Sequence, residues 1–534
     1  MTADEQTEER IEHSLWITVG WFAMAIASSF LAENWPALHW ATASLTLMYL
    51  SRLSGWFGAL LFIVSSTVVI AKLTTGVIPI PDAERYVLVA IIAIMGYLPY
   101  GLQLFTKNHL PGWLSTLVLP SAVVVLDFAG SSGPFGTFGA IAYSQFEFLP
   151  LVQLASVTGI WGITFLVYWF GATIWWAFGR DGTLSFCNRK ESICLSMSVL
   201  TVAAVIFYGY QRLNGQITSG GSVIKVACVA SPTGPTPFDA VRDMANAKET
   251  LETGAASGVD DADAESRLSD GREAVLLQLN KLLPQTEDLA ADGAKLIVWS
   301  EAALVTPSEM ESEVIGRCET VARETNSTLI IALGTWQSDA ALFENKTVLI
   351  DASGTVIGSY LKSRLVPGEP CVQGNGEVLL ASTKTCGDIA SLICFDADFP
   401  VLVRQVSTSD SFECQILTNS ANDWPEIEDI QLEMSAFRSI ENGIWMVRST
   451  SYGKSAIISP FGEVIFESST IDGEPVLLGK IETSTINTIY ARSGDAFAKS
   501  CLALLPALLV TSVVVAVRKR SSQKNQNLEV ESNG

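Results

Sequence analysis

Apolar runs near the length needed to cross a lipid bilayer cover residues 14–32, 36–50, 56–73, 86–105, 113–129, 156–178, 193–210 and 500–517. A helix needs about 20 apolar residues to span the hydrocarbon core, where every backbone N–H and C=O must be paired within the segment. The run at 36–50, PALHWATASLTLMYL, is the shortest. Composition agrees, with 49% of residues hydrophobic and only 16% charged. Trp16, Trp35, Trp113, Trp175 and Trp176 fall near run ends, where amphipathic rings favour the membrane interface. The expectation is a polytopic α-helical membrane domain of about eight spans: about seven within 1–210, one at 500–517, and a short tail at 518–534. The leading MTADEQTEERIEH is acidic and lacks the basic n-region of a cleaved signal peptide, so the first run is read as retained.

Basic residues near spans mark the cytoplasmic side. Arg52, Lys107, Arg180, Arg189 and Lys190 fall on one side of the eight-run arrangement, and Arg518, Lys519 and Arg520 follow the last run on that side. Lys72 and Arg85 are exceptions. Segment 211–499 is therefore expected outside the cytoplasm, and this holds with or without the span at 36–50.

Within 211–499, short apolar runs alternate with helical patterns. SVIKVACVA, KLIVWSEA, TLIIALGTW, NKTVLID, IASLICF and CQILTNSA read as strands, and EAVLLQLNKLLPQTEDLAADG and DIQLEMSAFRSIENGI read as helices. The alternation predicts a layered α/β domain. The stretch 238–273 carries ten acids and four bases and reads as a solvated loop or partly ordered helix. The formal charge of −22 opposes binding to nucleic-acid phosphates.

The chemistry of this segment is narrowed by what it lacks. All three histidines, His13, His39 and His109, precede it. A Cys–His dyad, a Ser–His–Asp triad and a His-ligated metal are thus excluded within it, and no HExxH or GxxxxGK[ST] motif occurs. Protons must be handled by a carboxylate or a lysine. Three polar residues stand where apolar runs stop: Glu301 in KLIVWSEAAL, Lys362 in GSYLKSRLVPGEP with Glu369 in the loop beyond, and Cys394 in SLICFDADFP. Taken singly, each has an ordinary explanation. A cysteine ending a strand is usually a core thiol, and a Glu or Lys at a strand end is usually solvated. Together they make a coherent set, in which Glu301 takes the thiol proton and Cys394 attacks. Lys362 and a backbone N–H near Phe395 would then stabilise the oxyanion. Cys371 and Cys386 flank a short Gly-containing segment and are a candidate disulfide, with free thiols the favoured reading.

The order Glu301, Lys362, Cys394 and its surroundings resembles the nitrilase, or carbon-nitrogen hydrolase, superfamily. With spans on either side, the chain is similar to its membrane-bound branch, the bacterial apolipoprotein N-acyltransferases. QLASVTGIWGITFLV (153–167), SYLKSRLVPGE, LTNSANDW and QLEMSAFRSIENGIWMVRSTSYGKSAIISPFGEVI carry the likeness in order. The resemblance implies an αββα sandwich at 211–499, on the outer side of a bacterial inner membrane. It implies transfer of a fatty acyl chain from a phospholipid to the diacylglyceryl-cysteine of a lipoprotein, with no cofactor and no metal. It gives Cys394 as nucleophile and thioester carrier, Glu301 as base, and Lys362 as the group stabilising the tetrahedral intermediates. Glu369 matches an additional glutamate, and Phe395 and Asp396 the two residues after the nucleophile.

Three stretches depart from that pattern. The family loop reads close to LVPFGEYVP, whereas here it is LVPGEPC. Phe395 and Asp396 stand where Tyr and Glu are usual, a pairing nearer to the superfamily's soluble amidases. DIQLEM stands where a histidine precedes LQM. These bear on the acceptor more than on the chemistry, and leave open a membrane-tethered amidase or hydrolase acting on a different amide or ester. A non-catalytic binding domain is a third class.

Overall fold

The computed structural model describes residues 3–78, 80–179, 189–215, 221–231, 261–336, 342–408 and 412–532. Most of the acidic stretch, 238–260, lies outside them, as do Arg180 and Cys187; from Asp261 the chain is helical. The chain divides into a helical unit (1–130, 139–212 and 495–534) and an α/β unit (131–138 and 213–494).

In the helical unit, α1 (Ala3–Leu31), α2 (His39–Leu50), α3 (Gly55–Leu73), α4 (Asp82–Thr106), α5 (Val118–Gly130), α6 (Ile160–Phe178) and α7 (Arg189–Leu213) pack before the α/β segment. The run at 500–517 forms part of a helix over Ala496–Ser532. Among the described residues, seven helical segments are long and apolar enough to cross a membrane. The expected span at 36–50 is not one of them. There a 3₁₀ turn at Pro36–Leu38 leads into α2, whose 12 residues fall well short of the length a bilayer requires. Its last four residues are buried, so α2 acts as a core helix of the unit. Gly171 on α6 allows that packing, since an added Cβ would lie 2.7 Å from the Cβ of Ala43 on α2. Trp16, Trp35 and Trp113 are exposed, as expected of interfacial rings. Trp175 and Trp176 are instead buried, and Trp175 Nε1 donates to Ser51 Oγ at 2.9 Å. Trp161 Nε1 donates to Asp495 Oδ1 at 2.8 Å, tying the start of the C-terminal helix to α6.

The α/β unit has two sheets. The first runs β13 (Val476–Glu482), β1 (Val223–Val229), β2 (Ala294–Trp299), β4 (Thr328–Trp336), β5 (Phe343–Ile350) and β6 (Val356–Leu361), with β3 (Leu304–Pro307) also on β4. The second runs β12 (Val464–Ser469), β11 (Lys454–Ile458), β10 (Trp445–Ser451), β9 (Ile416–Asn422), β8 (Gly387–Ile393) and β7 (Leu379–Thr383). All six runs read as strands from sequence are strands. Their central members are parallel and covered on both faces, which is why they read as unbroken apolar runs.

Side-chain alternation builds the layers. Ala227, Val229, Ile297 and Trp299 point to one face of the first sheet, against α8 (Asp261–Ala291) and α9 (Ser308–Thr325). Val226, Cys228, Leu296 and Val298 point the other way, onto Ile389, Ile416, Val447 and Ile457 of the second sheet. The helix α10 (Glu428–Asn442) covers the far face of the second sheet. The result is an α-β-β-α sandwich.

Candidate active site

The parallel strands of both sheets end at one rim, and the polar residues cluster there. At that rim the two sheets are joined by hydrogen bonds as well as by apolar packing. Glu301 N donates to Ala421 O at 3.2 Å, Ser300 and Ser451 share a hydrogen bond of 2.6 Å, and Ser449 Oγ donates to Val229 O at 3.1 Å. Glu301 follows β2, Lys362 follows β6 and Cys394 follows β8. Two turns carry backbone conformations that side chains other than glycine rarely adopt: Ala302, directly after Glu301, has φ 45°, and Cys394 itself has φ 46°. Such strain persists only where surrounding contacts over-determine it, and it is typical of functional turns.

Asp396 supplies those contacts at the Cys394 turn. Its Oδ1 accepts from Ser363 N at 3.2 Å and Arg364 N at 2.7 Å, and its Oδ2 accepts from Ile393 N at 3.2 Å and Tyr360 Oη at 2.9 Å. The carboxyl therefore clamps the lysine loop to the cysteine turn. Burial pushes its pKa up to about 7, against the pull of Lys362 and the donors around it. Phe395 packs its ring edge-to-face on Phe399, with centroids 5.4 Å apart. Behind the turn, Thr137 donates through N and Oγ1 to Asp398 O at 3.0 and 2.7 Å.

Lys362 is buried to 2% exposure and held between two carboxylates. Its Nζ lies 2.7 Å from Glu301 Oε1 and 2.9 Å from Glu369. Asn345 Nδ2 donates to the same two groups, at 2.7 and 3.2 Å. Glu369 also accepts from Val366 N at 3.0 Å and from Cys371 Sγ at 3.3 Å. Burial alone would lower the Lys362 pKa, but Glu301, Cys394 and Glu369 hold it well above the usual range. Burial would raise Glu369, and the Lys362 cation reverses this and lowers it. Cys394 goes the other way. Burial first, then the Glu301 charge, raise its pKa well above an ordinary thiol, with Lys362 only partly offsetting them. Cys394 thus rests as a protonated thiol and needs a base at the moment of attack. All eight described cysteines are free, including Cys371 and Cys386.

The structure brings together Glu301, Lys362 and Glu369 by direct contact, with Cys394 within their field. Asp396 faces backbone donors, in a bracing position. Around the site, Phe399, Pro400, Asp423 and Ile427 are buried, whereas Pro425 and Glu426 are exposed. Asn345 was missed in the sequence. The signal was its phase on β5, where Phe343, Asn345 and Thr347 point inward. An inward amide is costly unless it is hydrogen-bonded.

Residues 13–173 match the family model of the apolipoprotein N-acyltransferase N-terminal domain, and residues 250–490 match that of the carbon-nitrogen hydrolases. Curated relatives include an apolipoprotein N-acyltransferase of Geobacter metallireducens, 25% identical over 398 residues and covering 68% of each chain. Another, from Borreliella burgdorferi, is 23% identical over 447 residues, covering 76% of this chain and 77% of that one. Among solved structures, an amidase from Nesterenkonia sp. is 17% identical with a TM-score of 0.36, covering 54% of this chain and 98% of that one. Both domain models are matched in this order, and these two relatives, each named apolipoprotein N-acyltransferase, align with the chain across more than two thirds of their length, so the chain is similar to that family through both its helical and its α/β parts.

Proposed function

We propose that the chain moves a fatty acyl group from a phospholipid ester to the α-amine of the diacylglyceryl-cysteine of a lipoprotein, by way of a thioester on Cys394. The observation that carries this reading is the buried Lys362, ion-paired to Glu301 and Glu369 beside a raised-pKa thiol on a strained turn. The comparisons support the acceptor class through the names of the relatives. In the first half-reaction Cys394 Sγ bonds to the ester carbon as Glu301 takes the thiol proton. The ester C–O bond then breaks, and that proton passes to the departing lysophospholipid oxygen. In the second, the lipoprotein amine attacks the thioester and Glu301 takes its proton. The C–S bond breaks, and Cys394 regains a proton. In both, Lys362 Nζ and the Phe395 N–H are the groups proposed to face the oxyanion.

The chain is a multi-pass protein of the bacterial cell membrane. The side of its α/β unit is part of the proposal. In the seven-span arrangement Arg52, Lys107, Arg189 and Lys190, and Arg518 to Arg520, still share one side, and the segment 214–495 falls on the other. That supports an extracytoplasmic site.

Phe395 and Asp396 favour a second reading, a membrane-tethered amidase that passes the acyl group to water. One experiment decides between them. The purified protein is incubated with a labelled phospholipid, Cys394 is checked by mass for a trapped acyl group, and a diacylated lipopeptide is then added. Transfer to the peptide amine is expected. Release of free fatty acid without N-acyl peptide would refute the first reading in favour of the second, and no acyl group on Cys394 would refute the thioester route.

A further inference from the structure

Arg364 stands two residues after Lys362, and among the described residues it forms no ion pair with a carboxylate. Its guanidinium carbon lies 4.8 Å above the ring of Phe399, and its Nε is buried without a hydrogen-bond partner. The residue as a whole is only half-buried. Its backbone is fixed by the bond from its N–H to Asp396 Oδ1, at 2.7 Å. Phe399 in turn packs on Phe395, the residue next to Cys394. Lysine loop, arginine and nucleophile turn are therefore one braced assembly.

An arginine stacked on an aromatic face is restrained in orientation while its in-plane N–H groups stay available. Those groups form a fork that matches the oxygens of a phosphate or a carboxylate. A buried N–H left unpaired is expensive, so a native structure that keeps one calls for a partner supplied from outside. The proposed reaction offers two substrates. The lipoprotein amine is cationic or neutral, and a guanidinium gains nothing from it. The phospholipid carries a phosphodiester joined to the reacting ester through the glycerol carbons. A donor whose ester carbon meets Cys394 Sγ must bring that anion past the rim where Arg364 stands.

We propose that Arg364 binds the phosphodiester of the acyl donor and so determines selectivity for phospholipid over uncharged esters. This rests on the acyl-transfer reading above. The test uses the full-length protein in detergent, as wild type, Arg364→Gln and Arg364→Lys. Acylation of Cys394 is followed by mass from two donors, dipalmitoyl phosphatidylethanolamine and the uncharged p-nitrophenyl palmitate. Arg364→Gln should lower kcat/KM for the phospholipid roughly 10- to 100-fold relative to the uncharged ester, mainly through KM, the range expected for one charge-assisted contact. Arg364→Lys, which keeps the cation, should recover part of the loss. A merely structural role would slow both donors alike, and that result overturns the proposal. Inorganic phosphate forms a further arm. If the site takes free phosphate and not a donor headgroup, phosphate will slow both donors equally in wild type while the donor ratio of Arg364→Gln stays unchanged, which also overturns it. Wild type that acylates Cys394 from neither donor would overturn the transfer reading and this proposal together. An active wild type with an unchanged ratio in Arg364→Gln overturns this proposal alone.

Discussion

At the scale of single residues, the organising fact is that two carboxylates and one ammonium are buried together, and Asn345 bridges the two carboxylates. Its Nδ2 donates to both Glu301 and Glu369, which fixes the amide orientation, because the opposite flip would set an oxygen against two carboxylates. Asn345→Ala should slow acylation of Cys394 by roughly 10- to 100-fold, about the cost of one hydrogen bond to a charged group, because Lys362 still pairs both carboxylates. Asn345→Asp should be slower still, since a third carboxylate would compete for Lys362 and raise the pKa values of its neighbours. Pre-steady-state acylation measured by mass would show the order. An Asn345→Asp enzyme as fast as wild type would remove Asn345 from the positioning network. Glu301, Lys362 and Cys394 stand out in the sequence as candidates because 211–499 lacks histidine and each ends an apolar run, and the fold places them at one rim. The inward phase of Asn345 on β5 is a sequence signal, but its role is not legible, because its partners lie 44 and 24 residues away in the chain and only the fold joins them. Asp396 was expected beside the nucleophile, but its work is done on backbone N–H groups that no side-chain pattern reveals.

At the scale of elements, strands with apolar sequences were legible and strands with polar ones were not. WMVRSTS forms β10, buried along its whole length. Its fully buried Arg448 donates from Nη2 to both oxygens of Asp423 at 2.9 Å and from Nη1 to Thr450 Oγ1 and Lys454 O, charge-assisted bonds that offset the cost of burying the guanidinium. The same burial acts on the turn after β8. Asp398 is fully buried, accepts from Gln431 Nε2 at 3.2 Å, and has Arg438, Arg448 and Asp423 around it. Burial pushes its pKa up to about 8 from 3.8, with Gln431 and the arginines only partly offsetting it. The folded state therefore holds a proton that the unfolded chain has released. That contribution is complete below the unfolded pKa and is lost as pH rises through the folded one, so stability should fall between about pH 4 and pH 8. Asp396 and Asp423, raised to about 7 and about 6, act with the same sign. Each contributes at most about 1.4 kcal/mol per pH unit within its window. Asp398→Asn should flatten the decline of apparent Tm with pH in detergent at a constant scan rate. A decline as steep as that of wild type would show that Asp398 is ionised in the folded protein.

At the scale of the whole molecule, the number of spans decides which side of the membrane the residues before Ser14 occupy. The sequence supports eight apolar runs, whereas among the described residues seven helices reach spanning length, because α2 stops after 12 residues. Hydropathy alone could not separate these cases, since a buried core helix and a short span are equally apolar. The helix–helix contacts do separate them: α2 packs its small residues against Gly171 of α6 and buries its C-terminal half. With eight spans the residues before the first span and the segment 214–495 lie on opposite sides; with seven they share a side. Under both, Arg518, Lys519 and Arg520 stay across the membrane from 214–495. The expected outcome is therefore specific. A protease-cleavable tag placed before Ser14 should be cut from outside in intact spheroplasts, as should the α/β unit, while a tag after Arg520 should be protected until the cells are lysed. Protection of the N-terminal tag with cutting of the α/β unit would restore the span at 36–50 and leave the site outside. Protection of the α/β unit itself would put Cys394 in the cytoplasm, opposite to the side on which the proposed reaction places it, and would defeat that proposal whatever the geometry of Glu301, Lys362 and Cys394.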